Sequence, residues 1–88
     1  MIGTGGTPNW RLGANHSAKQ WQDKMQRRGW TADQIDEAIR LGQRFAATNN
    51  IHPANGATRY FHPATGRSVV LNDATSKVIH VGGDGFVY

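Results

Sequence analysis

Residues 20–31 read QWQDKMQRRGWT, and this stretch decides the fold. Glycine enters a left-handed turn without steric cost, so Gly29 is placed to end a helix. The residues before it have helical spacing, with Ala18, Trp21 and Met25 recurring on one side as a core-facing stripe. Ser17 followed by Gln20 has the form of a capping box, which predicts a first helix over Ser17–Arg27. After the exit comes Trp30, a large side chain expected in the core, and then Thr31 with Gln34, a second capping box. Asp33, Asp36 and Glu37 fall in the early turns of this second helix and Arg40 and Arg44 near its end, the order the helix dipole favours. Ile35, Ala38 and Ile39 form its apolar side, and Gly42 or the residues just after it end it.

Downstream, Phe45–Gly56 (FAATNNIHPANG) reads as a loop of polar and turn-forming residues. The period then changes from helix to strand. Thr58–His62 is a strand, Pro63–Gly66 a tight turn, and Arg67–Leu71 the returning strand. Asn72–Ser76 turns again, Lys77–Val81 is a third strand, and Gly82–Gly85 leads to a short last one, Phe86–Tyr88. The fold class expected is α+β: two N-terminal helices packed on a four-stranded antiparallel β-meander. Upstream, residues 1–13 are rich in Gly and Thr and contain Pro8, which predicts a flexible lead-in before a single domain over residues 14–88. The GTGGT run lacks the Lys-Ser/Thr ending and the preceding strand of a phosphate loop.

A chain of 88 residues has room for one core. Without cysteine it has neither a disulfide framework nor a thiolate metal site, and no apolar run approaches the roughly 20 residues of a membrane span. The net charge of +4 is unevenly placed. Arg11, Lys19, Lys24, Arg27 and Arg28 face only Asp23, whereas from Gly29 onward cations and anions balance. The whole excess therefore sits on the first helix and its lead-in. Such a patch attracts a polyanion, nucleic acid being the usual one, although a solvated helix face has the same composition. On an ideal wheel Gln20, Lys24 and Arg28 form a row beside the apolar stripe, with His16, Lys19, Asp23 and Arg27 on the exposed side.

The four histidines, at 16, 52, 62 and 80, lack the close pairing of a His-rich metal site, and no nucleophile-elbow setting surrounds a serine. Metal-free RNA cleavage asks for less. The ribose 2′-hydroxyl is its own nucleophile, and the protein moves two protons and stabilises charge on the phosphoryl oxygens. A cation row facing a strand that carries Arg59, Tyr60 and His62 supplies those groups. Tyr60, Phe61, Phe86 and Tyr88 offer faces for base stacking. Plainer readings stand beside these: Phe61 and Phe86 as core, His62 as a turn residue, His80 as a hydrogen-bonded inner-strand histidine.

RGWTADQI (residues 28–35) and ATRYFHPATGRSVVLNDATSKVIHV (residues 57–81) resemble the ribonuclease domain of colicin E-five and the C-terminal toxin domains of contact-dependent inhibition and related polymorphic toxins. The final GDGFV resembles that family's Gly-aromatic-Val ending, so the likeness spans Gln20–Val87. It implies the barnase/EndoU/colicin/RelE fold. It also implies a cofactor-free and metal-independent endoribonuclease that cuts tRNA, in the colicin at the anticodon. The partner it implies is a cognate immunity protein that plugs the basic cleft, and the one-sided basic helix leads us to expect an acidic one. The domain would be monomeric, delivered as the C-terminal part of a secreted or cell-surface protein, and active in the target-cell cytoplasm. The family's junction arginine matches Arg28. A family lysine eight positions earlier falls on Gln20, which carries no charge and cannot act as a base. Lys24, one turn away on the same row, is the preferred replacement. Lys19 points to the other face, and His16 takes the proton instead if the helix starts later or bends. Catalytic candidates are thus Arg28, Lys24, Lys19, His16 and His80, and RNA-binding candidates are Arg27, Arg59, Tyr60 and Arg67. The alternatives are a non-catalytic RNA-binding module or toxin–antitoxin regulator of the same fold, and a small structural interaction domain.

Overall fold

The computed structural model describes residues 10–83. In chain order these are β1 (Arg11–Leu12), α1 (Ala18–Arg28), α2 (Ala32–Leu41), β2 (Gln43–Ala47), β3 (Ala57–Phe61), β4 (Ser68–Asn72) and β5 (Lys77–Val81). The strands form one five-stranded sheet in the order β1-β5-β4-β3-β2. Three neighbouring pairs are antiparallel, and β1 runs parallel to β5. The architecture is α+β, as expected, but the sheet is mixed and five-stranded rather than a four-stranded antiparallel meander. The expected last strand, Phe86–Tyr88, lies outside the described residues, as do the stacking platforms placed there.

Both helix starts follow from local chemistry. The Ser17 hydroxyl accepts from Gln20 N–H at 3.2 Å while Gln20 Oε1 accepts from Ser17 N–H at 2.8 Å. Thr31 and Gln34 repeat the exchange at 3.2 and 3.0 Å. Gly29 sits at φ 74°, and the N–H of Trp30 closes the turn on Met25 O at 2.8 Å. A side chain at Gly29 would also run into the Arg67 guanidinium, which donates to Gly29 O at 3.1 Å. Gly42 ends α2 by turning extended after its N–H donates to Ala38 O, and a side chain there would run into the carbonyls of Phe61 and Ala38.

The main core lies between the helices and one face of the sheet. It gathers Trp10, Trp21, Trp30, Ile35 and Ala38 against Val69, Leu71, Val78 and Val81, with Tyr60 packed on its border. Each tryptophan has its indole N–H satisfied: Trp21 by Gly13 O, Trp30 by Gly82 O, and Trp10 by Asp36 Oδ1. The opposite face carries only a small cluster of Ala57, Val70 and Ile79 with Ala47 against it.

Two strands differ from the sequence reading. β2 occupies part of the expected loop, and β1 lies within the expected lead-in. β2 is an edge strand, exposed over Gln43–Ala46, so it has no buried face to write an alternating pattern into the sequence. β1 is only two residues long, pinned by buried Trp10 before it and by Gly13 N–H bonded to Val78 O after it. Among the described residues no helix is long and apolar enough to cross a membrane.

Candidate nucleic-acid interface

The edge of β5 is shared between two neighbours. β1 pairs with Lys77 and Val78, and past that point α1 takes over. Arg28 Nη1 donates to Val81 O at 2.8 Å, and its stem passes Gly83. This fixes the last turn of α1 beside the C-terminal half of β5. Lys24 and Arg28 are half-buried there, whereas Gln20 is exposed. Lys19–Asp23 and Asp36–Arg40 are ion pairs of the described residues, and neither of these two takes in Lys24 or Arg28.

The register of β5 changes at Ile79. Leu71 opposes Val78 and Val70 opposes His80, leaving Ile79 as an extra residue. Val78 and Val81 both belong to the helix-side core, so Ile79 and His80 both turn to the open face. A β-bulge of this kind re-aims a side chain that strict alternation would bury. It turns His80 away from the helix-side core while leaving it within the field of Arg28 and Lys24. His16 precedes the N-cap and is therefore free of the helical wheel. Its ring meets Trp21 edge-on at 4.8 Å.

Electrostatics ties these four residues together. His80 is held down at about 4, first by burial and then by the charges of Arg28, Lys24 and His16. His16 is also lowered, by loss of solvent and then by Lys24 and Arg28. His16 thus shares the field of the Lys24–Arg28 row instead of lying across the helix from it, which corrects the wheel-based placement. Between the two imidazoles and the loop residues Thr48, Asn50 and Ile51 is a cavity of about 290 Å³, floored by Val70 and Ile79. The loop is tied by a buried side chain: Asn49 Oδ1 accepts from the N–H groups of Ile51 and His52, and Asn49 Nδ2 donates to Gly56 O. Nothing in the sequence pattern singled out Asn49, although an asparagine closing its own loop is a recognised turn device.

The other candidates are dispersed. The Lys19 side chain is 83% exposed and pairs with Asp23 at 3.1 Å, away from the site. Arg27 is exposed and donates to Asp23 O. Arg59 pairs with Val70, which pairs with His80, so it lies on the open face two strands away, about 10 Å. It donates to Ser68 Oγ at 2.9 Å and lies 4.3 Å over the Phe45 ring. Tyr60 faces the helix side with Arg44 over its ring, so it is no stacking platform on the open face. Arg67 braces the corner at Gly29 instead. His62 is buried, with Thr65 N–H donating to its Nδ1 and its Nε2 3.1 Å from Glu37, which makes it a bracket between the turn and α2. Among the described residues no three His, Asp or Glu side chains gather where a metal ion could be held.

One family model matches the chain: the Colicin E5 ribonuclease domain, over residues 17–84. No curated protein and no solved structure matches it.

Proposed function

The chain belongs to the Colicin E5 ribonuclease domain family, whose members are bacteriocin-type toxins, and from that premise we propose that it is a metal-independent endoribonuclease that cuts tRNA in the anticodon loop. The observation that carries the reading is that His16 and His80 line one cavity within the field of Lys24 and Arg28. Arg28 spends one N–H on Val81 O, which aims the rest of its planar fork, and such a fork matches a phosphate. His80, held at about 4, is unprotonated at neutral pH and can accept a proton.

In the proposed reaction the ribose 2′-hydroxyl gives its proton to His80 and its oxygen bonds to the adjacent phosphorus. The bond from phosphorus to the 5′-oxygen breaks, and that oxygen takes a proton from the Lys24 ammonium. The products are a 2′,3′-cyclic phosphate and a free 5′-hydroxyl. Arg28 holds the non-bridging oxygens, where charge builds up, and His16 returns the proton to solvent. Arg59 binds the RNA backbone further along the same face. The toxin is delivered by a secreted or surface protein, acts in the target-cell cytoplasm, and is neutralised by an immunity protein.

The test is incubation with total tRNA in the presence of EDTA. The expected result is discrete fragments ending in a cyclic phosphate, and Arg28→Ala abolishes them while thermal unfolding stays cooperative. Retention of RNA without any cleavage would replace this reading by an RNA-binding module.

A further inference from the structure

The cavity beside His80 does not end there. A second cavity of about 300 Å³ continues along β5, and it shares Asn15, Ile51 and Ile79 with the first. Ile51 stands between the two at 40% exposure, held up by the loop that Asn49 closes. Lys77 lines the far end. The parity of β5 puts Lys77 on the open face, because its neighbour Val78 is in the helix-side core. In β1, Arg11 is the partner of Lys77 in the pairing, so both side chains rise from the same face of adjacent strands. Like charges placed side by side on a sheet repel each other. Through Lys77 this unfavourable doublet stands at one end of a groove whose other end is lined by His16 and His80, in the field of Arg28 and Lys24.

From this placement we infer that Arg11 and Lys77 form a second phosphate subsite, which holds the RNA strand on one side of the scissile bond while Ile51 and Ile79 give a base an apolar shelf between the two ends. The inference rests on the endoribonuclease reading. Lys77 and His80 are about 10 Å apart along the strand, so an RNA must extend past the cleaved step to reach both. The enzyme therefore gains from chain length, and the gain resides in residues outside the reacting group.

The test compares kcat/KM on a hexanucleotide with that on a dinucleotide sharing its cleaved step. Wild type favours the longer RNA. With a salt slope of about 0.7 per contact for single strands, each lost phosphate contact is worth about fivefold at 0.1 M salt. The double variant Arg11→Ala/Lys77→Ala should thus lose about 25-fold of the length preference, and Ile51→Ala part of it. Arg40→Ala, which removes one positive charge from the exposed side of α2, leaves the ratio as it was. Binding is read in parallel with an all-deoxy hexanucleotide, which lacks the attacking hydroxyl. There the double variant lowers the salt slope by about 1.4. If wild type cleaves nothing, the nuclease reading falls and the binding slope alone decides the subsite. A length preference and slope that survive the double change would overturn the inference. So would a defect confined to capture of an acidic protein, which would assign the groove to that partner.

Discussion

At the scale of single residues, the proposed reaction depends on keeping an imidazole neutral. Burial and two nearby cations push His80 down to about 4, well below an ordinary histidine. If His80 accepts the 2′-hydroxyl proton, kcat/KM on tRNA should climb with pH through about 4 and be flat from roughly pH 5 upward on the acid side. Lys24→Ala removes one of the charges that hold His80 down, so the acid limb should move to higher pH as the maximum rate falls. A limb near pH 6.5 in wild type, unmoved by Lys24→Ala, would remove His80 from the reaction. The same shift makes a stability statement. The unfolded chain binds the His80 proton more readily than the folded one, so this contribution is complete above pH 6.5 and is lost between about 6.5 and 4. Urea midpoints should therefore fall on acidification through that window, and His80→Asn should flatten the fall.

At the scale of elements, α1 and α2 depend on caps and on one turn. Ser17→Ala and Thr31→Ala should each cost about 1 kcal/mol in urea unfolding, because each leaves a first-turn amide without its acceptor. Gly29→Ala should cost more than either. It forces a side chain into φ 74° and drives it against Arg67, which in turn loosens the grip on the α1–α2 corner. These features were legible in the sequence because caps and left-handed glycines are written within four residues of where they act. The strands were legible only where one face is buried. β4 and β5 read clearly, whereas β2 is exposed over most of its length and β1 is held by a partner 66 positions away, Arg11 against Lys77. The site was half legible for the same reason. Lys24 and Arg28 are neighbours by helical spacing. The direction of His80, however, is set by a bulge that exists only in the pairing of β5 with β4. The side that Tyr60 takes was not legible either, because a strand's parity has no meaning until its register is known.

At the scale of the whole molecule, the uneven charge becomes a geometric fact. The excess of cations belongs to α1 and β1, and both meet β5, where Arg28 donates to Val81 O and Arg11 pairs with Lys77. Two of the three acids of α2 are engaged elsewhere: Asp36 with Arg40 and Trp10, and Glu37 with His62. One side of the protein thus presents a concentrated positive field to whatever approaches, and field of that kind acts first on association rate. For a proposed immunity protein that neutralises the domain by covering the groove, an acidic surface is the one that fits it. Reversing the end of the row with Lys24→Glu and Arg28→Glu should slow association with such a partner by about tenfold or more at low salt, and the slowing should fade as salt is raised. Stopped-flow binding at two ionic strengths measures both effects. Association at an unchanged rate, with unchanged salt dependence, would mean that the partner docks away from the groove and silences the enzyme without covering its cations.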